Sequence, residues 1–174
     1  MNLSSLLSPL LIPFFCLTVS CMARAEGSIA PKSGAALCGA LTVADFQGVG
    51  LSQAAPPSVN LVDAGAGAYC VYAGKSAATG GIELDVFYPA GATPAEAKAT
   101  EDTAAGESGG SALAPIPLAG ADSARWSPKA VSGGPPFATL VARRGTLVFV
   151  LGIPAGPNAQ AQLLKLAALA LKRF

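Results

Sequence analysis

Gly106-Glu107-Ser108-Gly109-Gly110 spells GxSxG, the pattern that holds a serine nucleophile on a sharp turn between a strand and a helix. That chemistry needs a base to take the serine proton, and the usual base is histidine. The chain has no histidine, and the small residues around Ser108 suggest neither strand nor helix, so the stretch reads as a flexible loop. Gly74-Lys75-Ser76 imitates the end of a phosphate-binding P-loop, but the earlier glycine of that motif falls at Tyr69 and no helix-forming stretch follows. Glu83 and Asp85 share a face if they lie on a strand. Paired carboxylates there serve hydrolysis, or ligate calcium with further oxygens; the simpler reading is solubilising charge on a solvent face. Asp122-Ser123-Ala124-Arg125-Trp126 groups an acid, a base and the only tryptophan. Asp122, Arg125 and Trp126 are therefore the candidate ligand or partner surface. The plainer alternative is a turn clamped by Asp122, with Trp126 packed on a sheet.

The absence of histidine also excludes Cys–His dyads and His-ligated metals within the chain. No catalytic set, metal site or cofactor motif remains. Four cysteines are present, and two of them, Cys16 and Cys21, lie in an apolar N-terminal run. Cys38 and Cys70 are the other two. Their spacing is not CxxC, which argues against a redox pair, and two thiolates without histidine make a poor metal site. A structural disulfide is the expectation for an exported chain.

Export itself is read from the leader. Met1 to Val19 is almost continuously apolar, broken by Pro9 and Pro13, which disfavour a membrane-spanning helix. Ala23-Arg24-Ala25 supplies the small residues that signal peptidase accepts, so cleavage is expected between Ala25 and Glu26. The alternative is a lipid on Cys21, because Leu17-Thr18-Val19-Ser20-Cys21 loosely approximates a lipobox. The expected organisation is a signal peptide over residues 1–25, a Pro/Gly/Ser-bearing tether over 26–34, and a single domain over 35–174. The expected location is periplasmic or secreted, with membrane contact only through the leader or a lipid on Cys21.

Removing the leader removes Arg24 from eleven basic residues and none of the ten acidic ones, leaving a formal charge near zero. A nucleic-acid binder carries a basic stripe; here the basic pairs are Arg143-Arg144 and Lys172-Arg173, which read as solvated ends of a hairpin and a helix. No nucleic-acid partner is expected.

The elements that must position these groups follow from periodicity. Ala35 to Gln47 reads as a short helix burying Leu37, Leu41 and Phe46, with Thr42 capping its second part. Val59–Val62 and Ala68–Ala73 read as strands, the latter with Cys70 and Tyr72 on one face. Ile82 to Tyr88 alternates apolar and polar residues, as a half-buried strand does. A helix is expected from Pro94 to about Thr103 with Thr93 as its cap, and a short edge strand within Ala112–Leu118, limited by Pro115 and Pro117. Phe137–Ala142 and Thr146–Ile153 form a hairpin. Leu147 to Leu151 is apolar at every position, which places that strand centrally with both faces covered. A final helix after Pro157 carries Leu163, Leu166, Ala167, Ala170 and Phe174 along one stripe. The fold class is therefore α+β, a mainly antiparallel sheet packed by helices.

Several of these stretches together resemble a group of small secreted bacterial proteins and lipoproteins with a PsbP-like α/β/α sandwich. The matching residues are Cys38 with Leu41-Thr42-Val43-Ala44-Asp45-Phe46, then Tyr69-Cys70-Val71-Tyr72, then Gly120-Ala121-Asp122-Ser123-Ala124-Arg125-Trp126. The resemblance covers most of residues 37–174. It implies a Cys38–Cys70 pair, an accessory or binding role and no enzyme activity. The function expected is a non-enzymatic accessory or binding protein of the cell envelope, holding a protein partner or a small apolar ligand. The alternatives are a carboxylate-dependent hydrolase using Glu83 and Asp85, and a purely structural envelope protein.

Overall fold

A computed structural model of the chain describes residues 34–62, 67–74, 81–88, 92–109, 113–130 and 137–174. The leader, the Ala25–Glu26 junction, Cys21 and all but the last residue of the tether lie outside these. Where one helix is expected over Ala35–Gln47, two form: α1 (Gly34–Cys38) and α2 (Val43–Gln47). The chain turns at Gly39 and Ala40, and Thr42 restarts the helix. Its hydroxyl accepts from the Asp45 N–H at 3.3 Å while the Asp45 carboxylate accepts from the Thr42 N–H at 2.7 Å, a reciprocal capping box.

Strands β1 (Ser58–Val62), β2 (Gly67–Ala73) and β3 (Ile82–Phe87) follow, then α3 (Pro94–Gly109). Next come β4 (Ala114–Pro115), β5 (Ser123–Ala130), β6 (Phe137–Arg144), β7 (Leu147–Pro154) and α4 (Ala159–Arg173). The strands make one seven-stranded sheet in the order β1-β2-β3-β7-β6-β5-β4, antiparallel throughout. The α+β sandwich expected from the sequence is the architecture observed. β7 lies between β3 and β6 and is buried from Leu147 through Ile153, as its unbroken apolar run requires.

Alternation along the strands divides the sheet into two unlike faces. Cys70, Tyr72, Leu84, Leu140, Phe149 and Leu151 point to the face covered by α1, α2 and α4. There they meet Leu37, Leu41, Phe46, Leu163, Leu166 and Ala170. Each fully buried leucine or phenylalanine contributes about 1.5–3 kcal/mol of burial. On the other face, α3 lays Ala97, Ala104 and Ala105 on Val141, Val148 and Val150.

Two expectations are corrected here. The helix from Pro94 continues six residues beyond Thr103, because Ala104 and Ala105 bury against the sheet and outweigh the low helix propensity of Gly106 and Gly109. The basic pair Arg143-Arg144 is not a solvated hairpin end. Arg143 is tied to acids under α3, and Arg144 donates to the Leu171 carbonyl at 2.6 Å, closing the exposed end of α4.

Candidate functional site

Asp122, Arg125 and Trp126 sit at and just before the start of β5, and the strand's alternation separates them. Trp126 points to the face of α4 and packs against the large core. Arg125 points to the face of α3, where its Nη2 donates to Asp102 Oδ1 at 2.7 Å and its Nε stands 3.6 Å from Glu101 Oε1. Asp122 holds the neighbouring hairpin: its Oδ2 accepts from the Gly145 N–H at 2.7 Å and from Arg143 Nη1 at 2.9 Å. Gly145 adopts φ +58°, the left-handed conformation that this turn requires. The three residues thus brace the sheet from two sides rather than converging on one point.

Glu101 is the residue that sequence reasoning missed. It lies on the buried stripe of α3 with Ala97, Ala104 and Ala105, one per cent exposed. A carboxylate in such a place needs partners. It accepts from Ser123 Oγ at 2.6 Å and from Arg143 Nε at 3.1 Å, with Arg125 beside it. The signal was present in the sequence: an acid at i+4 between alanines at i and i+7, facing arginines at alternate positions of two strands.

Beside this network lies a groove of about 480 Å³, lined by Pro115, Ile116, Pro117, Ser123, Ala124 and Arg125. The two prolines limit the pairing of β4 to two residues, and the segment Ile116–Leu118 follows. One hydrogen bond, Ile116 N–H to the Ala124 carbonyl at 3.0 Å, ties it back. The walls are apolar and Arg125 sits at the rim, with its charge balanced by Asp102 and Glu101. This volume lies in the range of small-ligand sites. The polar groups in its lining are the Ser123 hydroxyl, engaged by the Glu101 carboxylate at 2.6 Å, and the Arg125 guanidinium.

Glu83 and Asp85 project from β3 on the α3 face, both half-buried. Tyr69 stands opposite Asp85 in the ladder. Burial, reinforced by the Glu83 carboxylate hydrogen-bonded to it and by Asp85, pushes the Tyr69 hydroxyl pKa well above its ordinary value. Tyr69 is therefore a neutral hydrogen-bond donor to Glu83 and not a proton acceptor. Ser108 of the GxSxG stretch lies in the last turn of α3, not on a strand-to-helix turn. Gly74 follows β2, while Lys75 and Ser76 lie outside the described residues.

Cys38 and Cys70 are joined by a disulfide that fastens the end of α1 to β2. Next to it the buried Tyr72 hydroxyl lies against the carbonyls of Cys38 and Leu41, the latter at 3.1 Å. Burial raises the Tyr72 pKa, so it stays a donor to these carbonyls beyond the end of α1.

Among the described residues no group of three or more His, Cys, Asp or Glu side chains is placed to hold a metal ion. No helix among them is long and apolar enough to cross a membrane. No family model, curated protein or solved structure matches the chain.

Proposed function

We propose that the chain is an exported, non-enzymatic accessory or binding protein of the cell envelope, and that it holds an apolar group of a partner or small ligand in the groove at the β4–β5 edge. The observation that carries this reading is the groove itself: apolar walls from Pro115, Ile116, Pro117 and Ala124, and a rim arginine whose charge is already balanced. The apolar leader with its Ala23-Arg24-Ala25 junction, together with the disulfide, supports a periplasmic or secreted location. Lipidation at Cys21 is the alternative mode of retention. The resemblance to small secreted proteins and lipoproteins with a PsbP-like fold supports the accessory role.

The test is titration of the exported protein with medium-chain alkyl and aromatic compounds, followed by amide NMR. Shifts concentrated at Ile116 and Ala124, and abolished by Ile116→Asp, are expected. Absence of any such shift, with ester hydrolysis that Glu83→Gln removes, would move the reading to a carboxylate-dependent hydrolase.

A further inference from the structure

The two ends of the sheet are finished differently. β4 is two residues long and ends on Pro115, which has no amide hydrogen to offer a further strand. β1 runs for five residues with neither a charge nor a proline among them. It pairs with β2 along its whole length without a bulge and is the terminal strand of the sheet. Among the described residues, its outer side presents unpaired backbone N–H and C=O groups. Monomeric proteins blunt such an edge with lysine, proline, a bulge or a covering segment, and the residues of β1 supply none of the first three. The exposed large hydrophobic side chains of the described residues are also both here: Val59 at 38% and Leu61 at 61%. They face the same side of the sheet, opposite Cys70 and Ala68.

We infer that β1 is a self-association edge, where two copies of this chain pair antiparallel about a two-fold axis through Asn60. A strand edge accepts another strand, and the sequence Ser58-Val59-Asn60-Leu61-Val62 indicates which one. A two-fold axis at Asn60 sets Val59 of each copy opposite Leu61 of the other, so the exposed apolar side chains cover one another on a single face. It sets Ser58 opposite Val62. It sets the two Asn60 side chains against each other on the opposite face, where an amide carries both donor and acceptor and so suits its own kind. No like charges meet, and the interface has the self-complementarity that an isologous contact demands. Pro56 and Pro57 stop the ladder just before Ser58, which limits slippage in that direction. The two sheets then continue into one another. A five-residue ladder makes a small interface, so the association is reversible and depends on concentration.

The test is sedimentation of the exported protein over a wide concentration range, with two variants. Wild type is expected to rise toward twice the monomer mass with concentration. Leu61→Lys puts a charge on the edge at a position that is mostly exposed, and should shift the midpoint upward about tenfold or more while leaving the circular dichroism and melting curve unchanged. Opposed residues of an antiparallel pair have Cα atoms about 4.5–5.5 Å apart, within disulfide reach. Asn60→Cys should therefore cross-link into a covalent dimer on oxidation, faster than Gln160→Cys on the exposed start of α4. Any one of three results overturns the inference: wild type monomeric throughout, Leu61→Lys associating as wild type does, or Asn60→Cys cross-linking no faster than Gln160→Cys.

Discussion

The two faces of the sheet solve the same covering problem by different means. On one, α1, α2 and α4 bring leucines and aromatic rings, including Phe46 with its ring centroid 4.5 Å from that of Tyr72. On the other, α3 brings three alanines and a buried glutamate. Alanine lets a helix come close to the sheet but removes little area from water, so the first face dominates the burial term. The second face gains orientation instead: Glu101, Arg125, Arg143 and Asp122 link α3 to β5, β6 and the hairpin turn. A buried acid among arginines offsets its own desolvation and adds little net stability, but it fixes the elements it joins. The groove lies at the β4–β5 edge, lined by Ser123 and Arg125 of this network and by Ile116 and Ala124, which pack with the large core. Stability and positioning are thus assigned to opposite faces of one sheet.

The largest effect that separates them is a cavity. Phe46→Ala should cost about 3–5 kcal/mol in urea unfolding, because the ring is fully buried and its surroundings are pinned. Val148→Ala, under α3, should cost clearly less, about 1–3 kcal/mol. Equal costs would remove the distinction between the faces. Replacing Cys38 and Cys70 together by serine should cost about 3–4 kcal/mol, since the bond closes a loop with a sequence separation of 32. Hydrogen exchange of that variant should show α1 and β2 losing protection while α3 keeps it.

A smaller effect probes the second face. Glu101→Gln removes the charge between two arginines but retains an acceptor for Ser123. Arg143 and Arg125 are partly exposed and retain Asp122 and Asp102, so the cost should be about 1–2 kcal/mol, well short of the loss of a fully buried pair. The informative readout is the groove. Amide shifts should spread along β5 through Ser123 and Arg125, with α2 and α4 unmoved. If the shifts appear instead across the large core, Glu101 is acting on stability and not on position.

The large-core face was legible in the sequence because period-two and period-3.6 patterns of large residues mark what they bury. Cys70 and Tyr72 on one side of β2, the unbroken run of β7, and the stripe of α4 all lie where periodicity puts them. The α3 face carried a weak signal, since alanine marks no side. The end of α3 and the role of Glu101 were missed there, as was the whole of β5, where no strand is expected from the sequence. That strand runs to Ala130 despite Pro128, and the ladder shifts register between Ser127 and Ala130, where a proline is tolerated. Asp122, Arg125 and Trp126 were singled out by residue type, but their division between two faces depends on β5 being a strand. The groove is made by prolines ending a ladder, which composition marks only as a limit to β4.

The smallest effect tests whether the large-core face is itself free of electrostatic dependence. Asp45 caps α2 and also receives Arg173 from the end of α4, with Nη2 to Oδ1 at 3.0 Å. The Arg173 hydrogen bonds, the largest effect, outweigh the opposing effect of burial, which comes next, and with the Thr42 contacts they hold its carboxyl far below the usual carboxylate range. A group whose pKa is lowered by folding stabilises fully above its unfolded value, near about 4, and loses that contribution as pH falls toward the folded value. Asp45→Asn should therefore cost about 1–2 kcal/mol at neutral pH. It should also flatten part of the wild-type stability loss below about pH 4. Glu96 and Asp102 on α3 also have lowered pKa values, the first from the Thr93 cap and the second from Lys98 and Arg125, so acid loosens both faces in the wild type. The variant separates the two. In Asp45→Asn, exchange protection of α3 should still fall with acid as in wild type, while the acid dependence of α2 and the end of α4 becomes shallow. If both faces lost their pH dependence together, the sheet would be transmitting between them, and the two faces could not be treated as separate.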